Sequence, residues 1–285
     1  MNILVTGSKG QLGSELNSLS SLFGEHRFFF TDVDELDITK AADVERFITG
    51  NKIEVVINCA AYTAVDKAET EKDTARKINV EAVQNLALAA NKNGAILVHI
   101  STDYVFDGKN YKPYVESDYT NPQSVYAQTK LDAESMVEEF ANRGIVLRTS
   151  WLYSSHGHNF VKTMLKYGRE RDSLNVVFDQ IGTPTYAGDL AETILKILPQ
   201  LADFEGYDVY HFSNEGVCSW YDFALAIMEE SGIKCKINPI LSKDYPLPAP
   251  RPFYSVLDKS KIKAKFALEI PHWRTSLKVC LNKIN

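Results

Sequence analysis

The sequence of 285 residues lacks the features that mark a membrane protein or a nucleic-acid-binding protein. No apolar stretch in it reaches the ~20 residues that a membrane-spanning helix needs. Lysine and arginine together number 31 against 37 acidic residues, which gives a net charge of −6, and no basic run is present. We therefore expect neither a membrane nor a nucleic acid as a partner.

Cysteine is also scarce, and the four cysteines are far apart in the sequence, at Cys59, Cys218, Cys235 and Cys280. Their spacing matches neither a disulfide framework nor a zinc site. Cys59 lies within an apolar strand pattern, where a buried free thiol is the expected state. The N-terminal segment lacks the basic region, long apolar stretch and cleavage site of a signal peptide. These absences predict a protein of the reducing cytoplasm.

The first half of the chain alternates short apolar runs with longer stretches of helical periodicity, which is typical of a parallel sheet flanked by helices. The predicted fold class is α/β, with a doubly wound parallel Rossmann-type sheet and a smaller C-terminal α/β region. The predicted strands are residues 2–5, 27–31, 55–58, 95–101 and 145–149. The predicted helices lie near residues 11–22, 41–49, 73–91 and 125–143.

The pattern changes after about Ser150. Strand-like residues 174–178 and 209–212 stand among helical patterns near 189–201 and 220–230. Prolines alternate with other residues from Pro246 to Pro252, which predicts a rigid, extended loop. We divide the chain into residues 1–150 and residues 151–285, and leave open that part of the second region returns to the first.

A glycine-rich turn joins the first predicted strand to the first helix, at Gly7, Gly10 and Gly13. Glycine permits the tight turn and lets the backbone approach a pyrophosphate at the positive N-terminus of a helix. The spacing alone is a weak motif, but its place between strand and helix is typical of dinucleotide binding. We therefore predict that residues 1–150 are an NAD(P)-binding Rossmann domain and that residues 151–285 mainly bind the substrate.

Two acidic positions follow the second predicted strand. Asp32 stands 19 residues after Gly13, close to the usual position of an acid that binds the ribose 2′-hydroxyl. Its charge would repel a 2′-phosphate, and Lys9 is the nearest cation, so we expect NADH to serve at least as well as NADPH. An aspartate that only stabilises the turn fits Asp32 equally well. Asp37 and Ile38 could border the adenine.

Tyr126 and Lys130 lie four residues apart in a predicted helix, so their side chains share one face. A tyrosine with a pKa near 10 becomes an effective acid–base group when a nearby cation stabilises its phenolate, and Lys130 could be that cation. Thr102 follows a strand 24 residues earlier, and its hydroxyl could bond the same carbonyl oxygen. The order of glycine turn, hydroxyl and Tyr/Lys pair is that of short-chain dehydrogenases.

The sequence resembles the dTDP-4-dehydrorhamnose reductase family, an extended branch of the short-chain dehydrogenase/reductases. The resemblance covers essentially the whole chain and is strongest in residues 58–69, 101–108, 126–131, 147–153 and 251–252. That family reduces the C4 ketone of dTDP-4-dehydro-L-rhamnose to dTDP-L-rhamnose with NADPH or NADH. The resemblance therefore implies this activity, a nucleotide-diphosphate sugar as partner and, as an open possibility, a homodimer.

The resemblance also implies roles for individual residues. Tyr126 would donate the proton, Lys130 would activate it and bind the nicotinamide ribose, and Thr102 would bind the carbonyl oxygen. Asp103 and Trp151 would contact the sugar. The implied cofactor ligands are Gly10, Gln11 and Leu12 at the pyrophosphate, Asp32, Asp37 and Ile38 around the adenosine, and Ala61, Tyr62 and Thr63 at the nicotinamide half.

Several side chains allow both a ligand-binding and a purely structural interpretation. Trp151 either stacks on a ligand or packs beside the cleft. Arg251 follows prolines that would hold it rigid, and its planar fork suits the substrate's pyrophosphate, but an exposed arginine is equally common. His156 and His158 form a loop pair without a third ligand, so we expect them to be solvated. We expect His99 to be a core residue with its hydrogen bonds satisfied.

Magnesium is left open. Some bacterial members of the family are described as magnesium-dependent through glutamates at a dimer interface. The position that we align with one of those acids is Gly188, followed by Asp189. The sequence therefore predicts no metal ligand, and it does not support a dimer of that kind.

Three other functions share features with a dTDP-4-dehydrorhamnose reductase. A sugar-nucleotide 4,6-dehydratase needs a further carboxylate base, but Asp103-Tyr104 follows Thr102 here. A reductase for another 4-keto-6-deoxysugar nucleotide stays open. A non-catalytic regulatory subunit, resembling the β subunit of methionine adenosyltransferase, also stays open, although it would not call for the intact Tyr126 and Lys130.

Overall fold

The structure, a computed structural model, describes residues 1–284. Its strands are β1 (Asn2–Thr6), β2 (Arg27–Thr31), β3 (Val55–Asn58), β4 (Ile96–Thr102), β5 (Arg143–Thr149), β6 (Leu152–Tyr153), β7 (Ser173–Val177), β8 (Ile181–Gly182), β9 (Thr185–Tyr186), β10 (Gly206–His211), β11 (Cys218–Ser219) and β12 (Lys236–Ile240). Its α-helices are α1 (Gln11–Ser20), α2 (Ala41–Gly50), α3 (Val65–Ala68), α4 (Lys72–Arg76), α5 (Ala82–Lys92), α6 (Val125–Phe140), α7 (Phe160–Glu170), α8 (Ala187–Ile197), α9 (Trp220–Ser231), α10 (Ser260–Phe266) and α11 (Trp273–Ile284).

Six parallel strands form the central sheet, in the order β2-β1-β3-β4-β5-β10. The chain places β2 on one side of β1 and β3 on the other, so the strand order reverses between β1 and β3. Open sheets of this kind bind ligands at the carboxyl ends of the strands beside such a reversal. The predicted class, a doubly wound parallel α/β sheet, is confirmed.

Helices cover both faces of this sheet because its strands are apolar on both sides. On one face α1 packs against α8, with Leu16 and Ile194 fully buried between them and the sheet. On the other face α2, α5 and α6 lie side by side, with Leu86 and Val137 buried beneath them. The carboxyl ends of β1, β3, β4 and β5 are left uncovered between these layers.

The chain returns to the central sheet after residue 150. Strand β10 pairs in parallel with β5, so that Tyr207 lies opposite Gly144, and α8 belongs to the same core. The predicted strand at residues 209–212 is therefore an edge strand of the first domain. Helix α10 packs on the same core through Ile262 and Phe266. Helices α7, α9 and α11 enclose a separate core around Phe223 and Leu277.

Two predicted helices differ from the observed ones. Helix α6 stops at Phe140 because Arg143 begins β5 and donates to the carbonyls of Leu201 and Phe204. The predicted helix near residues 73–91 is α4 and α5 joined by a π-helical turn at Lys77–Glu81. This wide turn places Asn79 in the interior, fully buried. A π-turn in a helix often marks a functional site.

No helix within residues 1–284 combines the length and the apolar character that crossing a membrane requires.

A buried ion pair connects α6 to the central sheet. Arg148 on β5 and Glu134 on α6 are 2.6 Å apart, and their side chains are only 5% and 4% exposed. The carboxylate of Glu134 also accepts a hydrogen bond from Ser101 on β4, and the guanidinium lies over the ring of Phe106. Two adjacent strands and the helix that bears Tyr126 are therefore held together by one carboxylate.

We expect loss of either partner of this pair to be strongly destabilising, because the other charge is left buried and unpaired. Arg148→Met or Glu134→Leu should each lower the free energy of unfolding by about 3–5 kcal/mol, and the double variant by much less than the sum. Urea unfolding of the three proteins measures this. The exposed pair Lys196–Glu192 is the control, since Lys196→Met should cost no more than about 0.5 kcal/mol. A single variant that loses under about 1 kcal/mol would contradict the expectation.

Candidate active site

A cleft of about 780 Å³ lies at the carboxyl ends of the central strands. It brings together the glycine turn, the two acidic positions and the Tyr/Lys pair, which are far apart in the sequence. The predicted site residues that line it are Gly7, Gly10, Gln11, Leu12, Gly13, Asp32, Asp37, Ile38, Ala61, Thr63, Thr102, Asp103, Tyr126, Lys130 and Trp151. Tyr62 and Arg251 do not line it.

The glycine turn is packed so closely that larger residues do not fit. Gly7 has a φ of +64°, and a Cβ there would lie 2.6 Å from the backbone nitrogen of Ala60. A Cβ on Gly13 would lie 2.4 Å from the carbonyl oxygen of Gly7. Helix α1 has no side-chain cap at Gly10, so its first N–H groups are left open at the cleft wall. A pyrophosphate fits such a helix N-terminus, because it needs both close backbone approach and free N–H donors.

The turn after β2 carries Asp32, whose carboxylate is already engaged. It accepts hydrogen bonds from the backbone N–H groups of Lys9 and Val33, at 3.1 and 2.9 Å. The ammonium of Lys9 pairs with Asp34 at 3.0 Å and with Glu35 at 3.3 Å. The nearest cation is therefore matched by two acids, and this end of the cleft has no surplus positive charge.

The loop after β3 is held by the π-turn. The side chain of Asn79 accepts from the backbone N–H of Tyr62 at 2.8 Å and donates to its carbonyl oxygen at 3.1 Å. The Tyr62 phenol donates instead to Glu71, so only the neighbouring Ala61 and Thr63 face the cleft. Asn79 was not predicted, because its burial depends on an irregular helix.

Cys59 lies just past the end of β3, at the wall of the cleft rather than inside the strand. Burial raises the pKa of its thiol to about 12, against a smaller opposing effect of Lys130. The residue is therefore a neutral, free thiol, and the structure gives it no nucleophilic character.

Tyr126 stands in the first turn of α6, which begins with a well-formed cap. The hydroxyl of Ser124 accepts a hydrogen bond from the backbone N–H of Ala127 at 3.2 Å. Burial raises the pKa of the Tyr126 phenol to about 12, and the facing hydroxyl of Thr102 opposes the shift only in part. The phenol is therefore protonated at neutral pH. The role of Lys130 as the group that activates this phenol stays a prediction.

Lys130 lies one turn further along α6 and is 2% exposed. Its Nζ atom is 2.6 Å from the carbonyl oxygen of Ile100 and 3.0 Å from Nε2 of His99. Burial lowers the pKa of Lys130 to about 8, although Glu134 acts in the opposite direction. His99 is a fully buried residue, as predicted, and in addition it contacts the lysine of the site.

Asp103 is a second buried proton-binding group in the cleft. One of its oxygens accepts from the Thr102 hydroxyl at 3.0 Å, and the other has no hydrogen-bond partner among the described residues. Burial raises the pKa of this carboxyl to about 7, while the nearby hydroxyl of Ser255 partly opposes the shift. Asp103 therefore lines the cleft as a carboxyl whose second oxygen is buried beside Ser255.

Trp151 is held in an unusual backbone conformation, with a φ of +47°. Its indole ring stacks on that of Trp220, with centroids 3.6 Å apart. A Cβ on Gly182 would lie 2.6 Å from the Trp151 ring, so its other surroundings are also tight. Trp220 lines the cleft but was not predicted. The two indoles together form an aromatic wall, on which a planar or apolar ligand face can pack.

The loop between β6 and α7 forms another part of the cleft that was not predicted. Asn159 donates to Gln11 of the glycine turn at 3.0 Å, which ties this loop to the start of α1. Gly157 and His158 line the cleft as a result. His158 is exposed, as expected, but it lies beside the glycine turn rather than on a remote surface.

Arg251 lies in a smaller cavity of about 120 Å³, next to Tyr104. Its two terminal nitrogens donate to the two oxygens of Asp66 at 3.0 and 2.8 Å. Burial alone would raise the pKa of Asp66, but the hydrogen bonds from Arg251 and Ala249 outweigh it and hold the pKa low. This bidentate ion pair connects the proline-rich loop to α3, and the arginine does not line the main cleft.

The acid that follows Gly188 does not fit a magnesium site. The Asp189 carboxylate accepts hydrogen bonds from Asn214 and Ser276, and burial raises its pKa, which disfavours the charged form that a cation needs. Residues 1–284 contain no group of three or more histidine, cysteine or acidic side chains that could hold a metal ion.

Comparisons with known proteins agree with this geometry. The family model described as RmlD substrate binding domain matches residues 1–285. A dTDP-4-dehydrorhamnose reductase from Aggregatibacter actinomycetemcomitans is 42% identical over 97% of each chain. A crystal structure of such a reductase from Clostridium acetobutylicum is 44% identical, covers 99% of both chains and has a TM-score of 0.94. A dTDP-4-dehydrorhamnose reductase from Bacillus anthracis, solved in complex with NADP, is 37% identical, covers 99% of both chains and also has a TM-score of 0.94. With matches of this extent to both sequences and structures, the chain belongs to the dTDP-4-dehydrorhamnose reductase family.

Proposed function

We propose that this protein reduces the C4 ketone of dTDP-4-dehydro-L-rhamnose to dTDP-L-rhamnose with NADPH or NADH. The observation that carries the proposal is the convergence of Thr102, Tyr126 and Lys130 in one cleft with the glycine turn. The cleft also has the polar and aromatic groups that a sugar needs, in Asp103 and Trp151. Reductases with this name match the chain over nearly its whole length.

The nicotinamide cofactor, when bound, supplies the hydride that adds to C4 of the keto sugar. The residues that would hold it are the open N-terminus of α1, Asp32 at the adenosine end, and Ala61 and Thr63 after β3. Lys130 would hold the nicotinamide ribose. These assignments are proposals that rest on the position of each group along the cleft.

The protein's own contribution to the chemistry is a proton. The phenol of Tyr126 is protonated at neutral pH because burial raises its pKa, so it can give its proton to the oxygen of the developing alkoxide. The Thr102 hydroxyl would hold the same oxygen. Asp103, which also lines the cleft, would contact the sugar.

A non-catalytic regulatory role is less well supported. A regulatory subunit would not need Thr102, Tyr126 and Lys130 together at the wall of a large cleft. Assembly as a homodimer and a cytoplasmic location stay predictions. A reductase for a different 4-keto-6-deoxysugar nucleotide would use the same groups, and NMR identification of the product distinguishes the two.

Tyr126→Phe should lower kcat by about 100-fold or more, because the variant keeps the ring but loses the proton that general-acid catalysis needs. The measurement is NAD(P)H oxidation with dTDP-4-dehydrorhamnose, together with cofactor binding by titration calorimetry, which should be retained. Tyr167→Phe is the matched control, since this half-buried tyrosine lies outside the cleft. A Tyr126→Phe enzyme that stays within a few-fold of wild type would refute the role.

Asp32→Ala should shift cofactor choice towards NADPH by about tenfold in the ratio of kcat/KM values, because a like charge beside the 2′-phosphate is removed. The wild-type enzyme should use NADH at least as well as NADPH. Asp34→Asn is the control: it removes an acid that pairs with Lys9 but does not line the cleft, so its ratio should move much less. A wild-type enzyme with a strong NADPH preference, or an unchanged ratio in Asp32→Ala, would leave Asp32 as a turn residue only.

Arg251 lies outside the main cleft, in a cavity that shares Tyr104 with it. If a bound substrate extends its pyrophosphate into that cavity, Arg251→Ala should raise the KM for the sugar nucleotide by about tenfold and leave the KM for the nicotinamide cofactor unchanged. Asp66→Asn distinguishes pyrophosphate binding from the structural ion pair between the loop and α3, because it weakens that ion pair but keeps the arginine. We expect the smaller effect from Asp66→Asn. Equal effects of the two variants would mean that Arg251 acts only by fixing the loop.

A further inference from the structure

The buried anchor of helix α6 lies far from the turn that bears Tyr126. The ion pair between Glu134 and Arg148 joins the sheet to a residue eight positions further along the helix, which is about 12 Å along its axis at 1.5 Å per residue. The end turns of a helix fray unless their free backbone groups are bound. The first turn of α6 therefore needs a restraint of its own if the Tyr126 phenol is to keep its place.

Two side chains bind N–H groups of this first turn. The hydroxyl of Ser124 accepts a hydrogen bond from Ala127 at 3.2 Å, which is a local cap. The carboxylate of Glu69 accepts from the backbone N–H of Val125, the first residue of α6, at 2.8 Å. Glu69 is 56 residues away in the sequence, so its contact fixes the turn against another part of the molecule.

Glu69 directly follows the short helix α3, which is itself held in place. Ala68, at the end of α3, is fully buried. Asp66 accepts hydrogen bonds from both terminal nitrogens of Arg251, and from the backbone N–H of Ala249 at 3.1 Å. The segment that carries Glu69 is therefore connected to the proline-rich loop on one side and to α6 on the other.

We propose that Glu69 is a positioning residue for the proton donor: its hydrogen bond to Val125 holds the first turn of α6, and with it the Tyr126 phenol, in register with the cleft. Glu69 does not line the cleft, so it acts on the reaction only through the helix. A carboxylate is a strong acceptor for a backbone N–H, and the positive end of a helix favours it. The inference deepens the proposed function and rests on it for its catalytic meaning.

The position of this turn matters because the groups that face Tyr126 do not belong to α6. Thr102 ends β4, and Tyr104 in the following turn packs edge-on against the Tyr126 ring, with centroids 6.1 Å apart. Proton transfer requires the phenol to lie within hydrogen-bond distance of the oxygen that receives the proton. A displacement of about 1 Å between reacting groups can lower a rate by about 100-fold.

The first experiment removes the acceptor and then restores it. Glu69→Ala should lower kcat by about tenfold and keep the dissociation constant of NAD(P)H within about twofold of wild type, because the cleft loses alignment but no ligand-binding group. Glu69→Gln keeps an oxygen that can bind Val125, so its kcat should lie within about threefold of wild type. Equal losses in the two variants, or an unchanged kcat in Glu69→Ala, would overturn the proposal.

Asp258→Ala is the matched control for the loss of a contact at a helix end. The Asp258 carboxylate accepts from the backbone N–H of Ser260, the first residue of α10, at 2.7 Å, and α10 lies outside the cleft. Both alanine variants should lower the melting temperature, but only Glu69→Ala should lower kcat. A similar loss of kcat in Asp258→Ala would mean that general destabilisation explains the effect, and the positioning role would be wrong.

Val125→Pro removes the donor of the same hydrogen bond and keeps the helix. Proline is favoured at the first helical position, and Ser124 already has the extended backbone that precedes a proline, with φ −141° and ψ 161°. Once Val125 is proline, adding Glu69→Ala should change kcat by less than about twofold, because the two changes affect one interaction. If Glu69→Ala instead lowers kcat as much as it does in the wild type, Glu69 acts elsewhere and the proposal fails.

Hydrogen exchange tests the contact without substrate. The Val125 amide should exchange about tenfold faster in Glu69→Ala than in wild type, while the Glu134 amide keeps its rate. This result in an inactive protein would reject the reductase assignment and keep the positioning contact. An active reductase whose Val125 amide is unaffected would do the reverse. If Glu69→Ala does not fold, Glu69→Ser replaces it, because its polar side chain is too short to reach Val125.

Discussion

The geometry of the site depends on the buried pair between Glu134 and Arg148. Tyr126 and Lys130 reach the cleft only if α6 sits at a fixed height and rotation against β4 and β5, and hydrophobic contact alone restrains rotation weakly because it has no direction. The Glu134 carboxylate joins the helix to Arg148 on one strand and to Ser101 on the next. Since an unpaired charge at this depth is costly, sliding or turning the helix is opposed more strongly than in an apolar interface.

The same depth sets the chemistry of the titratable groups. Burial raises the pKa of Tyr126 to about 12 and that of Asp103 to about 7, and it lowers that of Lys130 to about 8. All three shifts favour the uncharged form, as expected where water is excluded. At neutral pH the Tyr126 phenol therefore keeps its proton, the Asp103 carboxyl is partly ionised, and Lys130 is still mostly an ammonium group.

Local sequence patterns predicted the sheet and most of the cleft, because these depend on residues close together in the chain. Strands 27–31 and 55–58 agree at both ends with the structure, since their apolar runs and flanking turns are local signals. The glycine turn and the Tyr/Lys pair are local in the same way. Three site residues were not predicted because non-local structure places them there. Asn79 is buried by an irregular helix, and Trp220 reaches the cleft by stacking on Trp151. His158 lies there because the neighbouring Asn159 bonds to Gln11. The pairing of Arg251 with Asp66 joins residues 185 positions apart, and no local pattern signals it.

The acidic character of the protein raises the question of how an anionic ligand is attracted to the cleft. The charge of the protein gives no help, since it is −6 overall, and the cation nearest the adenosine end is matched by Asp34 and Glu35. What remains at the cofactor end is the N-terminus of α1, whose dipole and free N–H groups act at short range and are little affected by the net charge of the molecule. Such a site binds a pyrophosphate through close backbone contact, and not through long-range electrostatic attraction. This explains why there is no room for a Cβ at Gly7 or Gly13, where one would lie under 3 Å from backbone atoms, while the charged residues nearby pair with one another. Recognition at the pyrophosphate and proton transfer at Tyr126 are thus carried out by different groups, at different places along the cleft.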